Sequence, residues 1–165
     1  MTHSTSVPRW RRLIDAMASS RLGAALWSRI APPIDRLLMR VTRGRFAMTL
    51  GMATLLLTTT GRRSGQPRST PLLYDQIAGG IAIIGSNFGQ RDNPAWYLNL
   101  RANPHARVLV DGEEMQMVAR DANPHERAKI WERAVRRYRG YEAYRARASA
   151  RVIPIVVLTR VPDEE

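Results

Sequence analysis

The side chains best equipped for chemistry in this chain fall in three short stretches. The first, Gly61-Arg62-Arg63-Ser64-Gly65-Gln66-Pro67-Arg68, brings three guanidiniums to one turn. Arginine's planar fork bonds carboxylate and phosphate in bidentate fashion, and turn amides add further donors. Such a turn is a cradle for a phosphate or for several carboxylates, each charge-assisted bond contributing about 1.5–3 kcal/mol. An ordinary soluble turn has the same composition. The second stretch, Gly85-Ser86-Asn87-Phe88-Gly89, leads into Asn93-Pro94. Small residues let backbone approach a ligand closely, and a helix start favours an anion or a polarised oxygen, although a plain connecting loop reads the same way. The third is Tyr138, Tyr141 and Tyr144. At helical spacing three phenols face one side and give a ring-shaped ligand a flat wall with hydroxyl donors. A core aromatic stripe is the competing explanation, but Arg136, Arg137, Arg139, Arg145 and Arg147 around the triplet argue for the rim of a pocket.

Other chemistries lack their residues. The glycine-rich turn lacks the GK[ST] ending of a phosphate-binding loop, and no nucleophile elbow occurs. His3, His105 and His125 are too scattered for a metal site, so none is expected. With no cysteine, disulfides, thiolate zinc sites and cysteine nucleophiles are excluded, which suits a reducing cytoplasm.

The elements that must carry these stretches are mostly strands. Met52–Thr60 precedes the arginine turn; Arg68–Asp75 and Ile81–Ser86 flank Ala78-Gly79-Gly80, a hairpin connection. Pro94–Ala102 reads as a short helix with Asn93 as its cap. His105–Val110 and Glu113–Arg120 flank Asp111-Gly112, a two-residue hairpin signal. Asn123-Pro124-His125-Glu126 carries the spacing of a capping box, followed by an apolar stripe of Ile130, Trp131, Ala134, Val135 and Tyr138. Ile153–Thr159 closes the chain as an apolar strand. About six strands in hairpin order, interrupted by helices, point to an α+β, mainly β chain built as a small barrel.

Residues 1–45 differ from residues 46–165. Trp10, Leu13, Ile14 and Met17, and later Ile34, Leu37, Leu38 and Val41, repeat at helical spacing. Nine arginines against Asp15 and Asp35 give this segment +7 of the formal net charge of +12. A basic amphipathic segment of this kind lies on an anionic membrane surface or packs on a core with its charged face solvated. The whole chain has one lysine, Lys129, so its charge is nearly all arginine and calls for an anionic partner unless codon bias alone explains it. Arginines interrupt every N-terminal apolar run, so no secretory signal is expected. The longest uncharged stretch, Phe46 to Gly61, is too short to cross a bilayer as a helix.

Taken together, Leu57 to Arg68, Asn93-Pro94-Ala95-Trp96-Tyr97-Leu98-Asn99-Leu100-Arg101-Ala102-Asn103-Pro104 and Ile153-Pro154-Ile155-Val156-Val157 resemble the deazaflavin-dependent nitroreductase family in order and spacing. The resemblance runs from about Leu55 to Leu158. It implies a split β-barrel like that of flavin-mononucleotide-binding oxidoreductases, loaded with coenzyme F420. That coenzyme carries a deazaflavin ring, a phosphodiester and an oligoglutamate tail. By the same resemblance, Arg62, Arg63, Ser64, Gly65 and Arg68 would hold the phosphate and tail. Gly85, Ser86 and Asn87 would line the ring, and Trp96, Tyr97 and Asn99 the adjoining wall. Tyr141, with Tyr138 and Tyr144, would face the substrate, assisted by Ser86.

The implied activity is hydride transfer from reduced F420 to a quinone or similar hydrophobic electrophile, with nitroaromatics as incidental acceptors. Leu73 stands where members that activate bulky nitroimidazoles tend to have an aromatic, which argues against that activity. Residues 1–45 would supply peripheral membrane contact at the inner face of the cell membrane. A non-catalytic barrel that binds F420 or lipid is one alternative. A basic nucleic-acid-binding barrel is another, disfavoured because the charge sits in the N-terminal segment and in discrete turns.

Overall fold

The computed structural model describes residues 53–161. Their order is β1 (Thr54–Thr60), β2 (Pro67–Ile77), β3 (Gly80–Ile84), a 3-10 turn (Asn87–Gly89), α1 (Ala95–Ala102), β4 (His105–Val110), β5 (Glu113–Asp121), α2 (Pro124–Arg137), α3 (Gly140–Arg147) and β6 (Ile155–Arg160). The amphipathic repeats expected in residues 1–45 lie outside the described residues.

The six strands form a closed barrel in the order β1-β2-β3-β6-β5-β4. Every pairing is antiparallel, including β1 with β4, which closes the ring. The barrel is filled by Leu55, Leu57, Ile81, Ile83, Val108, Met117, Val156 and Leu158, with Trp96 and Leu100 of α1 added from one end.

β6 explains its own composition. Val156 and Leu158 point into the barrel, whereas Ile155 and Val157 pack outside it with Ala82 and Ile130. A strand buried on both faces reads as a continuous apolar run rather than an alternating one. α2 thus covers the outer face of β3 and β6, and its expected stripe is the side it buries. The capping box at its start is present in full: Asn123 Oδ1 accepts from the Glu126 N–H and the Glu126 carboxylate accepts from the Asn123 N–H, both at 2.9 Å.

The Asp111-Gly112 hairpin has both central residues at positive φ, 51° and 89°, the backbone that matches the twist of its flanking strands. Gly80 is required for space, because a Cβ there would run into the Leu158 carbonyl across the sheet.

Three expectations are corrected. β3 ends at Ile84, because the Gly85 N–H bonds the Pro154 carbonyl and the chain turns away. α1 begins at Ala95 with Pro94 at its cap, because the Asn93 side chain is engaged by Arg151 instead. The helix carrying the tyrosines is two helices. Tyr138 is extended (φ −143°, ψ 103°), and the chain restarts at Gly140, whose missing Cβ leaves room for the Tyr138 ring.

Candidate active site

Strand direction collects the functional stretches at one end of the barrel. β1 and β3 both run antiparallel to β2, so the β1–β2 turn and the loop after β3 emerge on the same side. β6 runs antiparallel to β3, so the segment that feeds it from α3 arrives there too.

The arginine turn is a closed bend. Gly61 N–H bonds the Gln66 carbonyl at 2.9 Å, and Gly65 N–H bonds the Gly61 carbonyl at 2.7 Å. Gly65 sits at φ +67°, a conformation costly for any residue with a Cβ. Arg62, Arg63, Ser64, Gly65 and Arg68 are all exposed. Among the described residues no carboxylate pairs with Arg62, Arg63 or Arg68, whereas Arg101, Arg107, Arg120, Arg133, Arg136, Arg137 and Arg160 each have an acidic partner. Three guanidiniums without a carboxylate partner among the described residues thus share this one exposed turn.

Asn99 anchors the turn from below. Its Oδ1 accepts from the Arg62 N–H at 3.1 Å, and its Nδ2 donates to Thr59 Oγ1 at 3.0 Å. The side chain is buried and both its polar ends are occupied, so it fixes the shape of the turn. Trp96 is 5% exposed and belongs to the barrel core, where a large apolar ring gains most from burial. The Tyr97 hydroxyl sits between Arg101, at 3.3 Å, and Asp121, at 3.5 Å.

In the second stretch, Asn87, Phe88 and Gly89 take positive φ in succession (47°, 53°, 76°). This twist leaves Ser86 half-buried, with its hydroxyl free of hydrogen-bond partners among the described residues. The Phe88 ring packs edge-on to Tyr144, with centroids 5.9 Å apart. Loop and tyrosine cluster are therefore in direct contact.

The three tyrosines meet although they share no single helix. Their rings pack pairwise at 5.6 to 6.1 Å, and the Tyr138 and Tyr144 hydroxyls share a 3.0 Å hydrogen bond. Tyr141 and Tyr144 are buried rather than rim residues. The flanking arginines do not prevent this, because they lie over the aromatic faces: Arg145 over Trp131 at 5.4 Å and Arg147 over Tyr144 at 5.1 Å. Burial pushes the Tyr141 and Tyr144 phenols well above the ordinary tyrosine range, and the Tyr138 phenol adds to both shifts. Among the described residues the Tyr141 hydroxyl has no hydrogen-bond partner, and its side chain lines a pocket with Tyr138, Leu73, Asp75, Ile84 and Arg137.

That pocket lies outside the barrel wall, between β2–β3 and the two helices. Asp75 is a member the sequence reading missed. Only 7% exposed, it receives Arg137 Nη2 at 2.7 Å on Oδ1. Arg133 Nε lies 3.3 Å from Oδ2, an ionic contact whose geometry is not that of a hydrogen bond. The same arginines donate to the Tyr74 and Gln76 carbonyls, so α2 is latched along the edge of β2. The available signal was the placement of Arg133 and Arg137 one helical turn apart. Their partner, some sixty residues earlier, gave none.

Comparison with known proteins bears on the fold and the family. The family model described as F420H(2)-dependent quinone reductase matches residues 34–160. An F420H(2)-dependent quinone reductase of Mycobacterium tuberculosis strain H37Rv is 36% identical over 129 residues, 73% of this chain and 84% of that protein. The structure of an F420-H2 dependent reductase, FDR-A, is similar with a TM-score of 0.58 and 33% identity, over 64% of this chain and 93% of that one. A haem-storage protein of Vibrio cholerae, 14% identical with a TM-score of 0.51 over 77% of this chain and 90% of that one, shares the fold alone. The barrel is thus the split barrel expected, and the chain belongs to the F420H(2)-dependent quinone reductase family, oxidoreductases that depend on reduced coenzyme F420.

Proposed function

We propose that this protein transfers a hydride from reduced F420 to a quinone or a similar hydrophobic electrophile, with nitroaromatics as incidental acceptors. The observation that carries the reading is the cluster of Arg62, Arg63 and Arg68 without acidic partners among the described residues, at the barrel end shared with the Ser86 loop. The donor set suits F420. Exposed guanidiniums match a phosphodiester and a run of glutamates. A coenzyme with a ring at one end and anions at the other can meet both the loop and the turn, which open on the same side of the barrel.

In this reading Arg62, Arg63, Ser64, Gly65 and Arg68 hold the tail, and Gly85, Ser86 and Asn87 receive the ring. When bound, F420 supplies the hydride chemistry. The chain supplies orientation: the Ser86 hydroxyl, free of partners among the described residues, is placed to fix an oxygen of donor or acceptor. The buried Tyr141 phenol stays protonated and donates to the acceptor oxygen as negative charge develops there. Ile84, Leu73 and the tyrosine rings keep water from the reacting centre. Leu73 in place of an aromatic makes bulky nitroimidazoles poor acceptors. Residues 1–45, with +7 of net charge, would bring the site to an anionic membrane where a lipid-soluble quinone resides.

Titration of the protein with F420 and with flavin mononucleotide, followed by oxidation of reduced F420 in the presence of a soluble naphthoquinone, tests the reading. Tighter binding of F420 and quinone-dependent oxidation are expected. Equal or tighter flavin binding, or F420 binding without quinone-dependent oxidation, would overturn it.

A further inference from the structure

We infer that Arg151 is a positioning residue for the cofactor site, holding the Gly85–Asn93 loop in a strained form and in fixed relation to the tyrosine cluster. The inference rests on the F420 reading above and adds a residue to it. Arg151 lies between α3 and β6, and its guanidinium reaches four acceptors on the loop. Nη2 donates to the Ser86 carbonyl at 2.8 Å, Nη1 to the Gly85 carbonyl at 3.2 Å and to Asn93 Oδ1 at 2.9 Å, and Nε to the Gln90 carbonyl at 3.1 Å. One planar fork therefore gathers both ends of the loop. Burial lowers its pKa from the usual arginine value, and the group still remains charged at any ordinary pH.

The loop needs such a brace. Asn87 and Phe88 both sit in the left-handed region, and Phe88, an aromatic residue, does so at φ 53°. Backbone in that state persists only where its surroundings over-determine it. Within the loop itself the restraints are slight: Gly89 N–H to the Ser86 carbonyl, Gln90 N–H to the Asn87 carbonyl and Asn87 Nδ2 to the Asp92 carbonyl, each 2.9 Å. The remaining restraint comes from the α3–β6 side. Gly85 N–H bonds the Pro154 carbonyl at 2.8 Å, and a Cβ on Gly89 would stand 2.8 Å from the Arg147 Cβ. α3 carries Tyr141 and Tyr144, and Phe88 touches Tyr144. Arg151 thereby ties the segment that presents Ser86 to the helix that presents Tyr141.

A lysine cannot substitute, since one ammonium does not span acceptors set around a planar fork. The test uses the full chain with Arg151→Met and Arg151→Lys. Hydrogen exchange without ligand reads the loop, and F420 titration and naphthoquinone turnover read the site. We expect the Gly89 and Gln90 amides of both variants to exchange at least about tenfold faster while β1 and β6 amides keep wild-type protection. The F420 dissociation constant should rise by at least about tenfold, the scale of one lost charge-assisted bond, with the quinone KM little changed. Unchanged exchange in the loop would overturn the brace. Wild-type F420 affinity in a variant whose loop does exchange faster would overturn the positioning role. Failure of the wild-type protein to bind F420 would instead strike the functional reading, leaving the exchange result to decide the brace. If both Arg151 variants fail to fold, Asn93→Ala, which removes one of the four acceptors, should still accelerate loop exchange; wild-type protection there would count against the brace.

Discussion

Arg62, Arg63 and Arg68 matter to the proposed site because they share one exposed turn and no carboxylate among the described residues pairs with any of them. Replacing any one by Ala should weaken F420 binding about three- to tenfold, the lower end of a charge-assisted bond because the site is exposed and screened. The melting temperature of the ligand-free protein should stay near wild type, since these side chains rest on a turn and cover no core. A drop like that of a core mutant would make the cluster structural. Tyr141 invites a different test. Burial raises its phenol pKa, so the protonated form persists to higher pH than for a free tyrosine. The naphthoquinone rate should therefore show no loss from this group between about pH 7 and about pH 10, where an unperturbed phenol begins to ionise. Tyr141→Phe keeps the ring, and should lower turnover by about tenfold or more while F420 binding holds. Wild-type turnover in the Phe variant would reduce Tyr141 to a wall and shift attention to Ser86.

Among the elements, those specified by neighbours in sequence were legible and those specified by distant partners were not. Asn123-Pro124-His125-Glu126 contains its whole capping box, and Asp111-Gly112 contains its whole turn, so both appear as read. The start of α1 shifted because the Asn93 side chain answers to Arg151, far along the chain. The break at Tyr138 was hidden in the same way. Arg133, Arg136 and Arg137 favour helix, and only the aromatic packing of Tyr138 against Tyr141 and Tyr144, with room left by Gly140, makes the interruption worthwhile. The arginine turn was readable at once as a turn, but the role of Asn99 beneath it was not, because its partners lie about forty residues earlier. Asp75 gives this scale its prediction. Asp75→Ala removes the carboxylate from the α2–β2 latch and leaves two half-exposed guanidiniums with only the Tyr74 and Gln76 carbonyls. Thermal unfolding should report a loss of about 1–3 kcal/mol, short of the full cost of orphaning a buried charge because Arg133 and Arg137 can turn to solvent. No measurable loss would mean that apolar packing of Ile130 and Ala134 holds α2 by itself.

At the scale of the whole molecule, charge is distributed in a way that separates two kinds of attraction. Residues 1–45 hold +7 of the +12, leaving +5 for the remainder, and that +5 includes the arginine turn. In the proposed site, contact with F420 at the turn would be short-ranged and would depend on particular guanidiniums. The field of the N-terminal segment acts over roughly 8–10 Å at ordinary salt and needs only net charge. An anionic lipid surface answers to the second kind, and basic residues near such a surface contribute about 1 kcal/mol each. Sedimentation with vesicles containing phosphatidylglycerol tests this directly. The full-length protein should pellet with them, release as salt is raised, and stay in solution with vesicles of phosphatidylcholine alone. A variant with the nine arginines of residues 1–45 changed to Gln should lose most vesicle binding and keep its affinity for F420. The Arg62, Arg63 and Arg68 variants should show the reverse. If the glutamine variant pellets as well as the wild type, the membrane attraction belongs to the barrel, and the N-terminal charge has another partner.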